Sequence, residues 1–154
     1  MSRSNALGKE VVILIAEDDP GHARLIEKNM TRAGLTNRIE RFRDGQETLD
    51  FLFCRNPKRQ REPSTPYLLL LDIRMPKVDG VDVLQRIKAD PELRKMPVSM
   101  LTTTDDPREV ERCHALGCNN YLVKPVNYDR FAEVIRQLGN FIALVQVPEI
   151  TRGS

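Results

Sequence analysis

Asp72 stands directly after a run of four leucines, 68–71, and is followed by Ile73-Arg74-Met75-Pro76 and then Asp79-Gly80. That places a carboxylate where a buried strand gives way to an exposed loop. An earlier apolar run, 11–16, ends in the same way, in Glu17-Asp18-Asp19-Pro20. A third run, 98–101, ends in Thr102, and a fourth, 121–123, ends in Lys124-Pro125. Acids, a hydroxyl and an ammonium delivered to strand ends are the groups that phosphoryl chemistry uses, because that chemistry needs positioning and charge neutralisation more than acid/base groups.

If the first and third strands are parallel neighbours, Glu17, Asp18 and Asp72 converge within a few ångströms. Three carboxylates at that spacing repel one another, and a hard divalent cation with a preference for oxygen relieves them; Mg²⁺ suits a few carboxylates plus waters. An aspartate carboxylate can also accept a phosphoryl group covalently. Asp72, alone at its strand end, is the candidate acceptor, and the Glu17-Asp18 pair is better suited to holding metal directly or through water. Lys124 can reach the same pocket as a point charge for phosphate oxygens. Thr102 offers a hydroxyl from the strand between.

Five apolar strands alternate with five segments of helical period, which predicts an α/β fold: a doubly wound, five-stranded parallel sheet of order 2-1-3-4-5, flavodoxin-like, flanked by five helices. In such a sheet, ligands sit beyond the carboxyl ends of the strands at the switch point, where the acids already lie. Asp19 with Pro20, Asp44 with Glu47, and Asp106 with Pro107 read as helix starts, and Gly34 and Gly117 as helix ends. Phe131, Val134, Ile135, Leu138, Phe141, Ile142 and Val145 form the strongest apolar stripe, that of the last helix. The stretch 55–66 is rich in Arg, Lys and Pro without period and reads as a long solvated loop.

A chain of 154 residues, 40% hydrophobic and 30% charged, suits one globular domain. We expect one domain over 11–147, an N-terminal tail over 1–10 and a C-terminal tail over 148–154. The 24 basic and 22 acidic side chains leave a formal +2, too little to argue for nucleic acid or an anionic membrane. No signal peptide and no apolar stretch near the ~18 residues of a membrane span is present, so a cytoplasmic location is expected. Cys54, Cys113 and Cys118 form neither a disulfide framework nor a metal motif and read as small hydrophobes. His22 and His114 read as surface helix residues without a role.

Taken together, Glu17-Asp18, Asp72 with Met75-Pro76 and Asp79-Gly80 behind it, Thr102, and Lys124-Pro125 preceded by Tyr121 resemble the receiver domain of bacterial two-component response regulators. The resemblance covers about residues 11–145. It implies that Asp72 takes a phosphoryl group from a phosphohistidine on a sensor histidine kinase. It also implies Mg²⁺ held by the Asp18 and Asp72 carboxylates and the backbone carbonyl of Arg74, with Glu17 acting through water. Thr102 and Lys124 would bind the phosphate, Tyr121 would turn inward as Thr102 moves, and the Lys124-Pro125 bond would be cis. The output would be binding rather than turnover, through helix four, strand five and helix five, with no attached DNA-binding or enzymatic domain.

Asp79-Gly80 also reads as a turn and helix start, and Arg74 either shields the phosphate or projects into solvent. Residues 143–148 continue apolar beyond what five strands need, which suggests a homodimer through that helix-strand-helix face and the C-terminal tail. With the basic stretch, this tail resembles single-domain regulators that serve phytochrome-type kinases. A Mg²⁺-dependent phosphatase with an aspartyl nucleophile would want a second acid where Arg74 stands. A flavin module would want a Ser-, Thr- and Gly-rich phosphate loop where Glu17-Asp18-Asp19 stands. Direct DNA binding would have to use the basic loop.

Overall fold

The computed structural model describes residues 10–151. The expected tail at 1–10 therefore lies, except for Glu10, outside the described residues, as do residues 152–154. Strands β1 (Val12–Ala16), β2 (Ile39–Phe42), β3 (Thr65–Leu71), β4 (Val98–Thr102) and β5 (Asn120–Val123) alternate with helices α1 (Pro20–Arg32), α2 (Gly45–Leu52), α3 (Gly80–Ala89), α4 (Pro107–Leu116) and α5 (Tyr128–Ile142). The five strands pair in parallel in the order β2-β1-β3-β4-β5, the order expected above. Among the described residues, no helix is long and apolar enough to cross a membrane.

The unbroken apolar runs of β1 and β3 follow from burial on both faces of the sheet, since successive side chains alternate sides. Leu14, Leu69 and Leu71 join Phe42, Val83, Leu84, Ile87 and Met100 in a core on one face. Ile13, Ile15, Leu68 and Leu70 join Ile26, Met30, Leu101, Phe131, Ile135 and Leu138 on the other. Each central strand is thereby clamped between two cores, which fixes where its carboxyl end emerges.

The helix starts follow their cap chemistry. Asp19 accepts from the Gly21 and His22 amides, Asp44 from Glu47, Asp79 from Asp82 and Asp106 from Arg108. Gly117, at φ 105°, closes α4 in the left-handed conformation that a helix end favours. The last helix is shorter than its stripe suggests: Phe131, Ile135, Leu138 and Ile142 are buried, but Phe141 is exposed and the helix ends at Ile142.

Two expectations are corrected. Residues 148–151 are not a free tail: Glu149–Ile150 form a short strand, β6, antiparallel to the start of β3, and Ile150 is fully buried in the first core. Nor is the basic stretch simply solvated. The Arg61 side chain turns inward, donating from Nε to the Leu52 carbonyl at 2.7 Å and from Nη1 to the Thr151 carbonyl at 3.0 Å. The Arg59 guanidinium lies 4.3 Å from the Phe42 ring centroid. Long arginine stems cover apolar surface while their heads find carbonyls or ring faces, so the stretch clips the C-terminal strand to the body.

Candidate functional site

The carboxyl end of β1 runs directly into Glu17 and Asp18, and that of β3 into Asp72. Because these strands are hydrogen-bonded neighbours, with the Asp72 amide donating to the Ala16 carbonyl at 3.1 Å, the acids meet. Carboxylate oxygens of Glu17, Asp18 and Asp72 lie within 4.8 Å of one another. Glu17 and Asp72 are buried and Asp18 is exposed, so the cluster opens to solvent on one side.

The backbone around the acids is held from two directions. Arg41, on β2, donates from Nε and Nη2 to the Glu17 carbonyl at 3.1 and 2.9 Å and from Nη2 to the Asp18 carbonyl at 3.2 Å. Behind Asp72, Gly80 opens α3 so close that a Cβ there would stand 2.1 Å from the Asp72 carbonyl oxygen. The Gly80 amide donates to the Ile73 carbonyl at 2.7 Å, closing the loop that follows Asp72. Asp79-Gly80 is thus a helix start, and also what seats that loop.

Lys124 enters from the end of β5. It is 5% exposed, its amide bonds the Thr102 carbonyl at 2.7 Å, and its ammonium pairs with Glu17 Oε1 and, at 3.2 Å, with Asp72 Oδ2. A buried ammonium between two carboxylates offsets part of their mutual repulsion. Burial nevertheless raises the Glu17 pKa to about 7, against the downward pull of Lys124 and with a further upward push from Asp72. Asp72 Oδ1 and Thr102 Oγ1 are buried without a hydrogen-bond partner among the described residues. An unpaired buried acceptor is costly unless a cation or donor meets it. The all-oxygen acidic donor set and the orphaned Asp72 oxygen therefore fit a hard divalent cation.

Tyr121 is half-buried, and its hydroxyl donates to the Thr104 carbonyl at 2.8 Å, two residues beyond Thr102. Burial pushes its pKa up to about 12. The Arg74 side chain is exposed. The Lys124-Pro125 bond does not take the cis form implied by the resemblance: no peptide bond among the described residues is cis. Trans is the form an X–Pro bond favours by about 0.5–1 kcal/mol.

Two neighbours of the site escape a reading of the sequence. Arg41 looks like an ordinary strand residue. His22, which reads as a surface residue, brings Nδ1 to 3.2 Å from the Lys124 ammonium. The only hint of it in the sequence is its place in the first turn after the acidic pair.

A response regulator receiver domain model matches residues 13–136. The receiver domain of a response regulator from Rhodospirillum rubrum is 48% identical, with a TM-score of 0.85 over 91% of this chain and 99% of that one. The Mn²⁺-bound form of response regulator Rcp1, a protein of Synechocystis, is 30% identical, with a TM-score of 0.82 over 89% and 98%. The phosphorylated cyanobacterial phytochrome response regulator RcpA is 28% identical, with a TM-score of 0.79 over 89% and 97%. This chain belongs to the response regulator receiver family. Its work is phosphorelay signal transduction, and receivers of this family bind a divalent metal and partner with sensor histidine kinases.

Proposed function

We propose that the chain, as a receiver unit, accepts a phosphoryl group on Asp72 from a phytochrome-type sensor histidine kinase in the cytoplasm. The observation that carries this reading is the meeting of the Glu17, Asp18 and Asp72 oxygens within 4.8 Å, with Lys124 bonded to Asp72. In the transfer, an Asp72 carboxylate oxygen forms a bond to phosphorus as the phosphorus–nitrogen bond to the kinase histidine breaks. The electron pair of that bond stays with the imidazole, and Asp72 becomes an acyl phosphate.

Mg²⁺ is the cation we assign to the acidic cluster, which Asp18, Asp72 and the Arg74 backbone carbonyl would hold, with Glu17 through water; it would supply positive charge to phosphoryl oxygens. Lys124 supplies a further positive charge beside Asp72. Thr102, whose hydroxyl is unpartnered, turns to the phosphoryl oxygens, and Tyr121 follows because its hydroxyl is anchored on the segment after Thr102. The self-chemistry is limited to uptake and loss of this one group.

The face that changes is α4-β5-α5. Val123, Val126, Tyr128, Phe141 and Leu144 are exposed on or beside β5 and α5, and this apolar character supports docking of a second copy there. The resemblance to RcpA supports a phytochrome-type kinase as donor. The test is transfer from an autophosphorylated phytochrome-type kinase in Mg²⁺. The kinase should lose its label to this chain, and sedimentation should show dimers that Val126→Asp weakens. A kinase that keeps its label while passing it to a control receiver would overturn the reading.

A further inference from the structure

The Lys124 ammonium has three donors, and the structure gives it three acceptors: Glu17 Oε1, Asp72 Oδ2 at 3.2 Å and His22 Nδ1 at 3.2 Å. Two are carboxylates that belong to the acidic cluster. The third is an imidazole nitrogen that comes from α1 and lies outside that cluster. The imidazole meets the buried Phe131 ring edge-on, with centroids 5.4 Å apart, and its Nδ1 also lies 3.9 Å from Asp19 Oδ2. In the tautomer that carries its ring hydrogen on Nε2, Nδ1 accepts from this ammonium.

We propose that His22 is a positioning residue of the phosphoryl site, tethering the Lys124 ammonium through Nδ1 so that it stays aimed at the group on Asp72. The inference rests on the reading of Asp72 as acceptor. The reason for a tether is that Lys124's other two acceptors change during the reaction. Asp72 would exchange a carboxylate for an acyl phosphate, and Glu17 would also serve the cation that the acidic cluster would hold. The contact with His22 requires neither change, so it is the fixed point about which a four-carbon side chain can shift from carboxylate to phosphoryl oxygen. Without it, the flexible lysine stem samples more arrangements, and fewer of them neutralise the incoming charge.

The test compares His22→Leu, which keeps bulk and removes the acceptor, with His22→Asn, whose Oδ1 lies the same number of bonds from Cα as Nδ1. Phosphorylation by acetyl phosphate in Mg²⁺ is followed for each, together with thermal unfolding. Uptake should slow by ~5-fold in His22→Leu, the scale of one hydrogen bond, and return to within ~2-fold of the parent in His22→Asn. His22→Ala replaces the leucine variant if that one unfolds. Equal rates in parent and His22→Leu, or an asparagine variant as slow as the leucine one, overturn the proposal. A parent protein that takes up no phosphoryl group overturns the Asp72 reading itself.

Discussion

Lys124 and Asp72, 52 residues apart in the chain, meet at 3.2 Å between ammonium and carboxylate. Neither residue is placed by the other. The end of β3 sets Asp72, the end of β5 sets Lys124, and the parallel order of the sheet brings the two ends to the same edge. Three acids facing one ammonium leave an excess of negative charge that is only partly compensated, and several measurable consequences come from that excess.

Replacing Asp72 by Asn removes one negative charge while leaving Lys124 an acceptor. We expect the metal-free protein to gain about 1 kcal/mol of stability from relief of repulsion. The extra stability conferred by Mg²⁺ should shrink sharply in the same variant. Denaturant unfolding with and without Mg²⁺ checks both signs, and a destabilised metal-free variant would contradict the electrostatic account.

Acidity should govern the metal response. The Glu17 pKa is raised from 4.5 to about 7, chiefly by burial, so the folded metal-free protein binds a proton that the unfolded chain has released. That contribution to stability is present below pH 4.5 and is lost as pH rises through about 7. The cation needs the ionised carboxylate, so stabilisation by Mg²⁺ should run the other way and be larger at about pH 8 than at about pH 6. Equal Mg²⁺-induced shifts in melting temperature at the two values would argue against Glu17 as part of the site.

Thr102 is fully buried with an unpartnered hydroxyl. Thr102→Val keeps its shape and removes the orphan, and should stabilise the unphosphorylated protein by about 1 kcal/mol. Asp72 should still be modified in this variant, but the ring resonances of Tyr121 should no longer respond to modification. A full Tyr121 response would separate Thr102 from the switch.

At Gly80 the constraint is steric. A Cβ would lie 2.1 Å from the Asp72 carbonyl oxygen and 2.8 Å from the Ile73 Cα, both backbone atoms that cannot swing aside. Gly80→Ala should cost about 3 kcal/mol by thermal or denaturant unfolding and weaken Mg²⁺ binding, because the loop carrying Asp72 must move. An unchanged melting temperature would show that the loop yields more easily than its packing suggests.

Much of the fold is legible in the sequence because its determinants are local. Double-sided burial writes β1 and β3 as continuous apolar runs, and Asp19, Asp44 and Asp106 mark helix starts by their own hydrogen bonds. The acidic cluster follows once strand order is inferred. What the sequence hides depends on distant partners. β6 is two residues long, and only the landing of Ile150 in a remote core explains it. Arg61 looks solvated until the Leu52 and Thr151 carbonyls are seen to meet it. His22 shows its part only beside Lys124, 102 residues away.

The central claim is that Asp72 is the phosphoryl acceptor. Its most direct test is to treat the protein with acetyl phosphate and Mg²⁺, trap the acyl phosphate by borohydride reduction, and locate the modified residue by peptide mass. The account predicts a single modified position, Asp72, and none in Asp72→Asn. Modification at another residue, or equal labelling of Asp72→Asn, would contradict it.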